Sequence, residues 1–596
     1  MMVKDEETHS LETANTPTRG GMTRSDMKMF KFLIIFIFIS TSISFYAYLQ
    51  IRDDLYLIND DTSNNITFDE KTTSDVPNDN DKTENKTSEH HENHEPMYPP
   101  LQCNAYLGPD EEAAAEMVYW MDIPSDEKFV NPFQLKNMEM EEEKYFTFEP
   151  DQAGFNNVRM ALETILTLGI SMGRTIVLPP ERKFWLLWEN KTGKQKHQFA
   201  FDDFFELDQA QTEHFHLKFI SMQEYLEKVA MKGKLVDQTT RELRFPPENR
   251  TNWNGIEGQK RKALWDYLRE TSYSHAWNTD NCFSYFPQNI TDLSETRQNQ
   301  IQTAVQQINP VPNPAIYTDH PTPVDGTMKD RLSEHLARRK EICFYGEEME
   351  YEKTLHFKED WQKGARFLIP YYAFHFFEDW KQALWTKRFV RDHLRYKDEM
   401  MCAAARVVKA LREKARELEP EGNQDGRFNT MHIRRGDFKD QYKGSVTSAE
   451  DLIAISKSIL GNHNSKILFI ATDERNMTYF EPFKKEYQIY FLNDFQIFIE
   501  DVNSNFYGLV DQLIAARGDI FIGTHYSTFT AYINRLRGYY SWRDKTDGYE
   551  KGRVASYYFN PPNNKFKHDQ YFAISSPFWA YEFPEAWYDL DKGIDQ

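Results

Sequence analysis

Cysteine is scarce in this chain, with four in 596 residues, too few for a disulfide scaffold. Positive charge is in deficit: Lys plus Arg total 71 against 93 Asp plus Glu, a formal net charge of -22. A chain this acidic is a poor polyanion binder. Nucleic acid is therefore excluded as a partner, and any anionic ligand needs a local basic site. Internal repeats at solenoid periods are missing. What is present is globular material. The sequence is 40% hydrophobic and 15% aromatic, with 44 Phe and 32 Tyr, so disorder throughout is excluded. At roughly 100–200 residues per domain the length has room for two to four.

Residues Phe32 to Leu49 read FLIIFIFISTSISFYAYL, without a charge. The run is at the short end of a spanning helix. Lys4, Arg19, Arg24, Lys28 and Lys31 precede it, and after Arg52 the next basic residue is Lys71. The positive-inside rule then makes residues 1–31 a cytosolic tail and 32–49 a signal anchor, with the body in the lumen. A cleaved signal peptide is the rival, but no small-residue cleavage site closes the run. The expected localisation is a Golgi or endoplasmic reticulum membrane, as a single-pass type II protein. N-x-S/T acceptors at Asn65, Asn85, Asn190, Asn249, Asn289 and Asn476 agree. Cys103, Cys282, Cys343 and Cys402 all lie beyond the anchor and allow two disulfides in three connectivities. Residues 50–100 hold almost nothing apolar and read as a disordered acidic stalk. Its EHHENH stretch, Glu89 to His94, is a solvated polar run rather than a metal site.

The last third is the most regular. Apolar runs at Phe428–Ile433, Ile467–Ala471, Ile489–Leu492 and Ile520–Ile522 alternate with helix-period segments at 448–460, 476–486 and 507–517. That alternation predicts βαβ units and a parallel, doubly wound sheet. A second start lies nearer the front. Tyr145–Phe148 reads as a strand, 158–172 as a helix and Thr175–Leu178 as the next strand. The predicted fold is α/β, with two Rossmann-like domains facing a cleft: 101–395 with inserts, and 396–596. Ligands of such sheets bind at the carboxyl ends of strands.

Three segments sit at those ends. HIRRGDF, His432 to Phe438, places Arg434 and Arg435 where a strand stops. A guanidinium fork matches phosphate oxygens, although a surface salt bridge would use the same residues. GTHYSTFT, Gly523 to Thr530, opens a helix and forms an anion cradle, or an ordinary Ser/Thr N-cap. Gly154-Phe155-Asn156-Asn157 is a turn into the front helix. Two anion-suited loops on one sheet fit a diphosphate.

Taken together, HIRRGDF, FNNVRMALETILTLGISMGRTIVLPP and DQLIAARGDIFIGTHYSTFTAYINRLRGYY resemble the motifs of the GDP-fucose O-fucosyltransferase superfamily, from about residue 144 to 540. The superfamily includes core α1,6-fucosyltransferases and plant relatives. KRFVRDHLRY (387–396) is similar to a membrane-anchored branch. The resemblance implies a GT-B fold and inverting, metal-independent transfer from GDP-fucose, with no cofactor. It implies that Arg434 binds the β-phosphate and assists departure. His432 and Asp511 match positions that contact guanine, Ser527, Thr528 and Phe529 the diphosphate loop, and Asn156 an asparagine that reaches the donor. D-x-D triplets, the usual mark of metal use, occur at Asp79-Asn80-Asp81 and Asp589-Leu590-Asp591, neither at a strand end of the sheet.

One departure stands out. Where some relatives place a glutamate base before the GFN turn, this chain has Ala153. Asp151 or Glu149 is the substitute the sequence offers. The favoured acceptor is a protein Ser/Thr hydroxyl in the lumen, or else an N-glycan or other polysaccharide, chosen by the front half with its DDFFELD segment (202–208). Two other readings stay open: the same fold using UDP-rhamnose, and an inactive lumenal scaffold or lectin-like protein.

Overall fold

The computed structural model describes residues 98–570, apart from 185–186, 188–195, 197, 246–260, 311–322, 338, 359–365, 443–446, 462–464 and 560–567. All belong to one compact unit that runs from Glu92 to Gln596. The expected anchor, the stalk, both D-x-D triplets and the acceptors at Asn65, Asn85, Asn190 and Asn249 lie outside the described residues. Among the described residues no helix is long and apolar enough to cross a membrane. Asn289 and Asn476 are exposed.

The front half contains β1 (Tyr145–Phe148), α1 (Phe155–Ser171), β2 (Thr175–Leu178), α2 (Leu207–Glu213), β3 (Phe219–Ser221), β4 (Tyr273–His275), β5 (Cys282–Phe286), β6 (Glu341–Phe344), β7 (Thr354–Phe357), β8 (His375–Phe377) and α3 (Trp380–His393). Its main sheet is parallel, ordered β3-β2-β1-β7-β4. The chain leaves β1 toward β2 and later returns on its other side, so the end of β1 is a topological switch point. A second parallel sheet, β6-β5-β8, was not expected from the sequence. Helix α1 is buried on nearly every face, as a core helix is.

The rear half contains α4 (Asp398–Leu418), β9 (Asn429–Ile433), α5 (Ala449–Leu460), β10 (Ile467–Thr472), β11 (Gln488–Tyr490), α6 (Tyr507–Ala516), β12 (Phe521–Thr524), α7 (Thr528–Asp544), β13 (Ser556–Phe559) and β14 (His568–Gln570). The sheet order is β11-β10-β9-β12-β13-β14, parallel except for β14. Ile467 to Ala471 of β10 are all buried, which is why that run shows no polar alternation. The switch point falls between β9 and β12. The helix expected over 476–486 is instead two short 3-10 turns, Met477–Phe480 and Phe483–Lys485. Pro482 lies between them, lacking an N–H and crowding the preceding turn.

Buried charge and a covalent link join the halves. Glu163 of α1 accepts from Arg159 at 2.7 Å and from Arg535 of α7 at 2.8 and 2.7 Å. All three side chains are at most 2% exposed. The Arg159 guanidinium also lies 3.7 Å over the Tyr532 ring. Such a group holds together only while every charge is paired. The disulfides resolve the three connectivities as Cys103–Cys402 and Cys282–Cys343.

Candidate active site

A cavity of about 300 Å³ lies between the turn after β1 and the loops after β9 and β12. Asn156, Arg434, Ser527, Thr528 and Phe529 all line it. Residues more than 350 apart in sequence meet there because each loop leaves the carboxyl end of a strand at a switch point.

On the rear side, Thr524 fixes the end of β9. Its hydroxyl accepts from the Arg434 N–H at 2.9 Å and donates to the His432 carbonyl at 3.0 Å. The Arg434 guanidinium is held between two carboxylates. Nε and Nη2 reach Asp437 at 2.9 and 2.8 Å, and Nε reaches Asp473 at 3.1 Å. Gly436 passes so close to Asp473 that a Cβ would lie 2.6 Å from its Oδ2. Any side chain at 436 would therefore disturb that grip.

Arg435 turns away from the cavity. It donates to Glu474 at 2.9 Å and to the Thr447 carbonyl at 2.7 Å, and lies 4.0 Å over Tyr479. Burial opposes ionisation of Glu474, but hydrogen bonds from Lys439, the Asn476 amide and Arg435 outweigh it and hold that carboxyl at about 2. So one arginine of the pair serves the cavity and the other serves the fold.

The β12–α7 loop decides between the two readings of GTHYSTFT. Tyr526 is left-handed, φ 51°, and stacks on Tyr442 at 4.8 Å. Ser527 occupies the N-cap position but its side chain makes no capping hydrogen bond. The Thr528 hydroxyl instead donates across the cleft to Asn157 Oδ1 at 2.8 Å. The first-turn N–H groups of a 17-residue helix thus lack the usual side-chain cap at the cavity wall, where helix dipole and donors favour an anion. At Gly523 a Cβ would collide with Thr530, so this close packing of α7 on β12 requires glycine.

His432 and Asp511 are not on the cavity lining. His432 is buried, 2.7 Å from the Thr530 hydroxyl and stacked on Phe529 with centroids 4.4 Å apart. Burial, with Arg434 nearby, pushes its pKa well below the usual range. It stands behind the Phe529 ring that lines the cavity. Asp511 lies on α6 beside Gln512, which donates to Asn156 Oδ1 at 2.8 Å and to the Phe529 carbonyl at 3.2 Å. Its Oδ1 is buried without a hydrogen-bond partner. Burial drives its carboxyl well above the ordinary range.

The two carboxylates offered as base are both tied up. Asp151 receives Arg366 at 2.5 and 3.0 Å and the Ala153 N–H at 2.7 Å. Glu149 receives Arg269 at 2.7 Å through both oxygens, with His356 at 3.1 Å. They lie in a neighbouring cavity, not this one. The geometry gives Asp151 the part of anchoring a turn, because Arg366 and the Ala153 N–H occupy its oxygens and it does not line the cleft cavity. Arg366, Tyr442, Asn157 and Gln512 are site residues that sequence reasoning missed. Asn157 alone had a signal, as the second Asn of the GFNN turn.

The family model for GDP-fucose protein O-fucosyltransferase matches residues 145–540, about two-thirds of the chain. Among solved structures, POFUT1 in its apo form aligns over 66% of this chain and 95% of its own, at 14% identity and TM-score 0.31. The fucosyltransferase NodZ from Bradyrhizobium aligns over 73% and 100%, at 12% identity and TM-score 0.28. A variant of Arabidopsis thaliana FUT1 in complex with GDP aligns over 72% and 75%, at 10% identity and TM-score 0.29. No curated protein matches the sequence. With the family's matched span covering both motif-bearing halves, the chain belongs to the GDP-fucose protein O-fucosyltransferase family and is a glycosyltransferase.

Proposed function

We propose that this protein is a GT-B-type, inverting fucosyltransferase that moves fucose from GDP-fucose to a lumenal acceptor, a Ser/Thr hydroxyl of a protein. One observation carries this reading: Arg434, gripped by Asp437 and Asp473, shares a cavity with the uncapped start of α7. The acceptor oxygen forms its bond to the anomeric carbon as the bond to the β-phosphate breaks on the opposite face, and the hydroxyl proton leaves to water. Negative charge then grows on the departing diphosphate. Fixed donors aimed at that charge are the largest single source of rate in such sites, and Arg434 with the α7 N–H groups supplies them.

Asp511 is the acceptor offered to the guanine N1–H and N2–H groups: its Oδ1 is buried without a donor, and it stands behind the cavity lining. Asn156, whose Oδ1 is taken by Gln512, contributes its Nδ2. Among the described residues, the carboxylate that lines the cavity, Asp437, is itself bonded to Arg434. Stabilising the leaving group therefore carries the reaction, with no strong protein base. The two disulfides support an oxidising lumenal compartment.

The test is calorimetric titration of the purified chain with GDP and with UDP, in EDTA. Micromolar GDP binding that UDP lacks, lost in Arg434→Ala, is the expected result. Preference for UDP would replace the donor. A folded protein that binds neither would return the scaffold reading.

A further inference from the structure

The front half holds a cluster that the proposed transfer reaction does not use. Glu213 ends α2, and His214 follows it with φ -115° and ψ 82°. Adjacent residues inside a helix point about 100° apart and do not face each other. The break in helical geometry lets these two converge, and α3 delivers His393 to the same point from its last turn. The Nε2 atoms of His214 and His393 are 3.0 Å apart, and His393 Nε2 is 3.6 Å from Glu213 Oε2. Ligands about 2.0–2.2 Å from a tetrahedral zinc lie roughly 3.3–3.5 Å from one another. The two measured separations fall on either side of that value.

We propose that Glu213, His214 and His393 bind a divalent transition metal ion, zinc by their donor chemistry, which clamps α2 to α3. Two imidazoles and a carboxylate are a set that zinc takes with water in the fourth position. A cavity of about 20 Å³, also lined by Asp122, adjoins the cluster and is large enough for that water. The carboxylate is already oriented. Gln209 donates to Glu213 Oε1 at 2.6 Å and accepts from Arg395 at 2.8 Å, leaving Oε2 toward His393. Second contacts of this kind fix metal ligands in place.

Both rings are buried and stand at 87° to each other. Neither Nδ1 has a hydrogen-bond partner among the described residues. Each ring is thus able to carry its proton on Nδ1 and turn the Nε2 lone pair to the shared centre. A plain His–His hydrogen bond would account for the 3.0 Å contact, but not for a half-buried carboxylate turned toward the same nitrogen. None of the three ligands lines the cleft cavity, so this is a structural site. It departs from the metal-free expectation of the sequence.

The experiment is metal analysis of the full chain, purified without chelator, dialysed against zinc and then against metal-free buffer. About one zinc per chain is expected, falling severalfold in the His214→Gln/His393→Gln double variant. Cobalt-loaded protein should show visible d–d absorption that the variant lacks. Dipicolinate should lower the melting temperature of the parent chain and leave that of the variant unchanged. A cooperative melt checks that the variant is folded. Should it fail to fold, Glu213→Gln must alter the cobalt spectrum. Parent protein without zinc, equal zinc in parent and variant, or a cobalt spectrum untouched by Glu213→Gln would overturn the proposal.

Discussion

The turn after β1 and the loop after β9 occupy equivalent places in their sheets, yet they handle charge in opposite ways. After β9, Asp437 and Asp473 grip Arg434 from its sides, and the arginine lines the cavity. After β1 the carboxylates are the ones clasped, Asp151 by Arg366 and Glu149 by Arg269. At both places an acid meets an arginine, within the loop after β9 and from distant segments after β1. In the rear half the cation serves the cavity, and in the front half the acids serve the turn. Residue type at a strand end is therefore a poor guide to chemistry until the partner is known.

The largest break of this comparison is at the joint between the halves. Glu163→Gln leaves Arg159 and Arg535 buried around a neutral side chain, and should cost about 3–5 kcal/mol, read as a lower chemical-denaturation midpoint. Next, Arg434→Ala should reduce transfer and donor hydrolysis about 10²–10³-fold, measured as initial rates at saturating donor. A loss below tenfold would show that the β9 loop is no more catalytic than the β1 turn.

Asp511→Asn sharpens the contrast between stability and function. Removing a carboxyl whose charging burial opposes should raise stability at neutral pH, while GDP binding weakens. The sign with pH follows from the raised pKa. The folded state holds the Asp511 proton more tightly than the unfolded chain. Stability is then fullest below the ordinary carboxylate range and declines as pH rises through the raised value. Melting curves across pH should show that decline in the parent and its loss in Asp511→Asn. The smallest effect is expected from Asp151→Asn: a general base is worth about 10²–10⁴-fold, and turnover should instead fall by only a fewfold, with the pH–rate profile unshifted.

Much of this was legible in the sequence wherever the signal was local. The strand boundaries 145–148 and 175–178 agree to the residue, because each is a short apolar run closed by a turn. Asn156, Arg434, Ser527, Thr528 and Phe529, each named from a local motif, line one cavity. What was illegible depends on partners distant in the chain. No local pattern links Arg366 to Asp151, or Arg535 to Glu163, although those contacts decide what each acid does. The β6-β5-β8 sheet was hidden for the same reason, its neighbours being separated by long inserts.

The Cys103–Cys402 bond spans 299 positions. It starts ahead of β1 and ends on α4, which lies between β8, the last strand of the front half, and β9, the first of the rear half. Cys282–Cys343 lies wholly inside it. The front half is thus a covalent ring whose clasp belongs to the rear half. Cleavage of the backbone anywhere between Cys103 and Cys402 would release nothing until the bond is reduced. The two halves are separate as sheets but inseparable as lengths of chain.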